Sequence, residues 1–257
     1  MKTATTLLLR LWLPVVLLAA WWWFSQGSAS PYFPPLQKIL AAFMNTWVSE
    51  EFARTLLPSL LRMFAGFGLA LVVGLAAGIA IGLSERASRV MSPFTEFFRA
   101  TPIAAVVPVG LVLFGAGASM EIAVIAFGSC WPILVATTDG IRGVDPVMID
   151  TARVYGLTAR QRLLKIVMPA ALPQITAGVR IAIAIAIATM LIANMFGSSG
   201  GLGYFVILAQ QSFDILATWA GLLMIGLVGV VLSGLFALLQ HRALAWHRGW
   251  RGTLDNS

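Results

Sequence analysis

Charge is what this chain has least of. Asp, Glu, Lys and Arg make up 11% of its residues, where soluble domains carry about 25%. That shortfall excludes an ordinary soluble globular domain. Cysteine is nearly absent too: Cys130 stands alone, so no intrachain disulfide can form and no cysteine cage can hold a metal. Histidine is almost as scarce. His241 and His247 lie in a basic C-terminal stretch, without cysteine or carboxylate at ligand spacing, and no metal ligand is assigned. A G-x-x-x-x-G-K-[ST] phosphate loop is also missing; the glycine-rich run at 197–203 has no lysine. Nucleotide-driven work therefore belongs to another chain.

What the chain does have is apolar length. It is 59% hydrophobic, with a mean hydropathy of +0.89. Its apolar runs approach the roughly 20 residues that cross a bilayer as a helix. A membrane β-barrel would instead show short alternating segments. The fold class is therefore all-α integral membrane, with six transmembrane helices expected near residues 7–24, 55–83, 94–114, 121–138, 175–196 and 216–239. Residues 1–54 form an N-terminal transmembrane helix plus an amphipathic segment at 34–47; residues 55–240 form a five-helix core; residues 241–257 form a basic tail. The first apolar run admits a second reading as a cleaved leader, with Lys2 and Arg10 ahead of it and Ser28-Ala29-Ser30 behind. The cluster Trp21-Trp22-Trp23 suits an interfacial anchor better.

Gly66, Ala70, Gly74, Gly78 and Gly82 recur every four residues, which puts small residues on one helix face and invites close backbone approach. The Ile-Ala alternation at 181–188 imitates a strand, but an unpaired strand in lipid leaves its backbone unsatisfied. On a helix, Ala182, Ala186, Thr189 and Ala193 make a second small stripe. Residues 84–92 and 139–173 are expected as polar loops, 115–119 as a tight turn and 197–203 as a glycine-rich loop. Pro169 and Pro173 are expected to mark where the long loop ends and the fifth span starts.

The net charge of +7 reads as a topology signal, not a nucleic-acid footprint, because the basic residues cluster between apolar runs. One side collects Lys2, Arg10, Arg86, Arg89, Arg99, Arg142, Arg153, Arg160, Arg162, Lys165, Arg180, Arg242, Arg248 and Arg251. The other has only Lys38, Arg54 and Arg62. Both termini and the 139–173 segment are therefore expected in the cytoplasm. The spans themselves hold almost no ionisable residues: Glu96 and Arg99 can pair one helix turn apart, and Arg180 can snorkel. An ion-coupled secondary carrier, the second class considered, should show more. A third class, an intramembrane serine protease of rhomboid type, is suggested by Gly197-Ser198-Ser199-Gly200. Its chemistry needs a histidine within reach of Ser199, and both histidines fall beyond the sixth span.

The polar segment from Asp150 to Pro173 is the feature that lipid-spanning alone does not explain. Its pattern gives two short helices broken at Gly156. Asp150, Thr151, Ala152 and Gly156, then Ile166, Met168 and Pro169, resemble the E-A-A-x-x-x-G…I-x-L-P signature of ABC-importer permeases. Aspartate stands for glutamate, threonine for the first alanine and methionine for leucine. Further stretches resemble the nitrate/sulfonate/taurine branch of that family in the right order: 55–62 with Gly66, 99–103 with Pro108 and Phe114-Gly115, and 199–204. Asn194 stands where that branch often carries an acidic residue.

The resemblance implies a type I ABC-importer permease with a coupling helix. Asp150, Thr151, Ala152, Tyr155, Gly156, Leu157, Thr158 and Ala159 would then dock an ATPase, with small Ala152 permitting close approach and Gly156 the turn. Thr101, Pro102, Thr189 and Asn194 are assigned to the translocation path. The implied partners are two ATPase subunits, a second permease subunit in a homodimer, a periplasmic or lipid-anchored solute-binding protein, and the bilayer of a bacterial inner membrane. No cofactor is expected in this chain, ATP and Mg being held by the ATPase. The branch handles nitrate, sulfonates, taurine, bicarbonate, cyanate or pyrimidine precursors.

Overall fold

A computed structural model describes residues 2–28 and 30–243. Expectations placed on the 244–257 tail, on His247, Arg248 and Arg251, and on the side chains of Lys2, Arg10 and His241 lie outside the described residues.

The described chain is helical throughout. Helices α1 (Lys2–Ser25) and α2 (Leu36–Trp47) come first. A single π turn, Phe52–Leu56, then feeds α3 (Leu57–Gly82). Pro58 stands just after that turn, inside the continuous run Phe52–Gly82, where its missing N–H removes one helical hydrogen bond. There follow α4 (Glu85–Ala100), α5 (Ile103–Phe114) and α6 (Ala118–Arg142). Two short helices come next, α7 (Pro146–Val154) and α8 (Ala159–Arg162). A second π turn, Leu163–Val167, leads into α9 (Met168–Gly197), α10 (Leu202–Gln211) and α11 (Ile215–Ala243).

Three long helices, α3, α6 and α9, pack together as the centre. Their closeness follows from the small stripes. A Cβ built on Gly78 would lie 2.6 Å from Thr137 Cβ, and one on Gly74 2.9 Å from the Cys130 carbonyl oxygen. On the other side of α6, a Cβ on Gly178 of α9 would stand 2.8 Å from the Pro132 carbonyl oxygen. Ala182, Ala186 and Ala193 of α9 are buried with it. Apolar burial offers little between helices already in lipid, so backbone approach and van der Waals contact hold this centre. Beside it, α2, α10 and α11 enclose Trp47, Leu202 and Met224. The Trp47 indole N–H donates to the Ala220 carbonyl at 3.1 Å.

Among the described residues, four helical runs are long and apolar enough to cross a membrane: Phe52–Gly82, Ala118–Arg142, Ala159–Gly197 and Ile215–Gln240. The expected third span is not one helix. Its α4 and α5 meet at 95°, with Thr101 extended ahead of Pro102, as the residue before a proline prefers. Residues 84–92, expected as a loop, begin α4. The Ser84 hydroxyl accepts the Ala87 N–H at 3.3 Å, an N-cap that satisfies an orphan donor. The 139–173 loop also shrinks. α6 runs to Arg142, and from Ala159 to Gly197 the chain is helical over 39 residues, so Pro169 and Pro173 lie inside helix. Pro169 stands in the first turn of α9, just after the π turn. The glycine-rich loop ends early, because α10 already starts at Leu202.

Candidate functional site

The segment between α6 and α9 is built by local punctuation. The Asp145 carboxylate caps α7 by accepting the Val147 N–H at 2.8 Å, and Pro146 fills the first turn. At the other end the Leu157 N–H reaches the Ala152 carbonyl at 3.0 Å, while the Gly156 N–H reaches that of Arg153 at 2.9 Å. This is a Schellman stop, and it needs a left-handed residue. Gly156 supplies it, with φ +69°. Nothing lies within 4 Å of where its Cβ would be, so conformation, not space, selects glycine there. Thr158 then caps α8 in a reciprocal box with Gln161. The break at Gly156 falls where expected, but only the helix before it is short; the one after it is the start of the 39-residue run.

The side chains divide into two faces. Asp150 pairs with Arg153 at 2.7 Å in solvent, and Thr151 bonds back to the Val147 carbonyl. Val147, Met148, Val154 and Tyr155 are exposed, Val154 by 86% and Tyr155 by 79%. Ala152 is not among them. It is 3% exposed, on a helix that packs against the Leu163–Val167 turn. Its small size permits close contact with the chain's own helices. Leu157 is half-buried and its carbonyl accepts from Arg162 at 3.0 Å. Ala159 begins the long helical run.

That run leads to a cavity of about 520 Å³ between α4, α5, α6 and α9. Thr101 and Thr189 line it; Pro102 stands at the break beside it, and Asn194 is not on its wall. Arg99 and Asp139 face it, together with Gln174. Arg99 also holds Glu96 at 3.3 Å, the pair expected from their spacing. Phe98 stacks on Trp131 at 4.7 Å with 13° between planes, and Phe127 meets both rings edge-on.

Asn194 belongs to a separate buried cluster. Its Nδ2 donates to Glu121 Oε2 at 2.7 Å, and its Oδ1 lies 2.9 Å from Ser59 Oγ as acceptor. Arg62 donates to Glu121 Oε1 at 2.7 Å. Ser59 Oγ also accepts the Leu202 N–H at 3.0 Å. Gly201, at φ +102°, sits where a Cβ would lie 2.6 Å from Ser59 Oγ. The cluster ties α3, α6 and α9 to the first turn of α10. It refines two expectations. Arg62, counted only for orientation, is paired, and the spans hold one more ionisable residue than the Glu96, Arg99 and Arg180 considered, since Glu121 is 0% exposed. A carboxylate this close to the fourth apolar run was the available signal; its partners, far away in sequence, were not.

Residues 70–244 match the family described as binding-protein-dependent transport system inner membrane component. The chain is 33% identical over 214 residues to the permease protein named SsuC, for aliphatic sulfonates transport, of Bacillus subtilis, covering 83% of this chain and 78% of that one. It is 30% identical over 231 residues to the taurine transport system permease protein TauC of Escherichia coli, covering 85% and 82%. Its fold matches a chain of the MetNI methionine ABC transporter with a TM-score of 0.63 at 18% identity, over 72% of this chain and 93% of that one. An ATPase in a separate subunit and a solute-binding protein are the partners such an inner-membrane component works with, and several apolar helices place it in the membrane as a multi-pass protein. The chain belongs to the binding-protein-dependent transport inner membrane component family, as a permease subunit of an ABC importer.

Proposed function

We propose that this permease imports a small oxyanion of the sulfonate or taurine type and works as a homodimer carrying two ATPase subunits. Both termini and α7 face the cytoplasm, the solute-binding protein docks on the opposite face, and six spans cross the inner membrane. ATP and Mg are held by the ATPase. The relatives SsuC and TauC, named for aliphatic sulfonates and taurine, support the solute class. The loop charges support the orientation.

One observation carries the coupling. The turn at Gly156 presents Val154 and Tyr155 outward, and shortly after it begins a helical run of 39 residues. At about 1.5 Å per residue that run reaches roughly 58 Å, far enough to join a docking face to the cavity wall at Gln174, Gly178 and Thr189. Tyr155, Val154 and Met148 form the apolar contact for the ATPase, while Asp150 and Thr151 hold the helix surface and Leu157, Thr158 and Ala159 fix its angle to the long helix. Closing of the ATPase pair then moves the cavity wall as one body.

Val154→Asp tests this. The residue is almost fully exposed, so folding and insertion should be unchanged. Placing a charge in an apolar contact is costly, so ATPase pull-down and uptake of taurine and ethanesulfonate should both fall by about tenfold or more, on the order of one buried unpaired charge. Normal pull-down and uptake would remove α7 as the docking element.

A further inference from the structure

The cavity has two donors that no described residue satisfies. Trp131 Nε1 and Thr189 Oγ1 are both buried, and neither has a hydrogen-bond partner. Two other buried polar atoms share that condition, Trp21 Nε1 and Ser129 Oγ, but neither residue is on the cavity wall. Buried donors are almost always paired, because leaving one unpaired is unfavourable. The two cavity donors are therefore exceptions that call for a reason.

Thr189 shows the exception well. A threonine inside a helix usually turns its hydroxyl back to a carbonyl one turn earlier. Thr137, Thr151 and Thr218 of this chain do so, each at 2.7 Å. Thr189 does not, although it is 0% exposed. Its hydroxyl instead lies against α6 at Gly128, where a Cβ would come within 3.1 Å of it. Trp131 stands one turn further along the same helix, three residues on, on the same face. Its ring is held by the stack on Phe98 and the edge of Phe127, so its N–H has a fixed direction. Both residues line the cavity, from α6 and α9, with the two polar atoms themselves closed off in this conformation.

Indole N–H is a donor only, and a hydroxyl can donate to a strong acceptor. We propose that Trp131 and Thr189 form a way-station for the oxyanion head of the passing solute, which accepts a hydrogen bond from each as the cavity widens around them during transport. The inference rests on the import reading above and adds the atoms that recognise the solute. The pocket around them is apolar, with Ile103, Phe127 and Ile185 as neighbours on the wall, so it suits the short carbon stem of a sulfonate. Neither donor carries a formal charge. That is what transit requires: a site favourable enough to enter and weak enough to leave. Of the charged wall residues, Arg99 follows Phe98, the ring that stacks on Trp131, and its charge is held by Glu96. Asp139 is eight residues beyond Trp131 on α6, about 12 Å at the helical rise, so the carboxylate does not oppose an anion at the way-station.

Thr189→Val removes one donor at nearly constant shape, and Trp131→Phe removes the other while keeping a smaller aromatic ring in the stack. The assay is the full importer, with its ATPase and binding protein, in proteoliposomes, with uptake of taurine and of ethanesulfonate measured beside thermal inactivation of the permease. Each variant should lose roughly tenfold in maximal uptake, the effect of one lost hydrogen bond. ATPase pull-down should match the unsubstituted protein, and thermal inactivation of Thr189→Val should be unchanged or slower, because an orphan donor has been removed, while Trp131→Phe is read per folded protein because its smaller ring leaves space. Unchanged uptake with slower inactivation would show the donors to be structural orphans only and overturn the proposal. Uptake lost in step with folded protein would overturn it too. An unsubstituted importer that takes up neither probe would instead overturn the solute reading beneath it, and that failure is visible before any variant is made.

Discussion

Replacing Arg62 by methionine should cost more than replacing its partner. The reason is the unequal burial of the two charges. Glu121 is 0% exposed, while the Arg62 side chain is 29% exposed. In Arg62→Met the carboxylate stays buried with only Asn194 to donate to it. Breaking a buried pair this way costs about 3–5 kcal/mol. In Glu121→Leu the orphaned guanidinium can reach water or headgroups, and Asn194 loses one acceptor, together about 1–3 kcal/mol. The double variant Arg62→Met/Glu121→Leu carries no buried charge and should be more stable than Arg62→Met alone. At about 2–4 °C per kcal/mol for a chain of this size, Arg62→Met should lower the unfolding midpoint by roughly 6–20 °C. The double variant should recover several degrees of that. The assay is thermal unfolding of detergent-purified permease, all four proteins at one scan rate. Equal losses in the two single variants that add in the double would refute the claim that these groups act as a pair.

Two further outcomes follow from the turn and from the charge pattern. Gly156 has open space around it and a left-handed backbone, so substitutions should rank by conformation alone: Asn mildest, Ala worse by about 1–2 kcal/mol than glycine, Val worst, read as ATPase pull-down and uptake; a fully active Gly156→Val protein would contradict the turn. With Cys130 changed to alanine, a cysteine at Ser119 or Ser199 should react with an impermeant maleimide from outside intact cells and one at Thr158 only after permeabilisation; outside labelling at Thr158 would reverse the orientation.

What the sequence discloses here is what is decided locally. The stop at Gly156 was legible because cap, proline, glycine and capping box are all neighbours in the chain: Asp145-Pro146, Gly156, Thr158 with Gln161. The α3 stripe was legible because its period is that of a helix face. Residues 84–92 are polar enough for a loop, yet the cap at Ser84 and the Glu85–Arg89 spacing support the helix that forms. The prolines misled in both directions. Pro102 breaks the chain by 95°, while Pro173 stays inside a helix. Nothing local separates the two, since neighbouring helices decide whether the freed carbonyl finds a partner.

The cavity and the buried cluster lay beyond reach for the same reason. Arg62 and Glu121 are 59 residues apart, and only the α3–α6 contact brings them together. That contact exists because glycines on α3 admit the α6 backbone. The stripe is thus the cause of the cluster as well as of the packing. It also sets the mechanics. α6 is clamped to α3 by backbone contact along its length and to α9 at Gly178 and Gly140. These three helices therefore move as one unit, while α4 and α5 meet beside them at 95°, where the cavity lies.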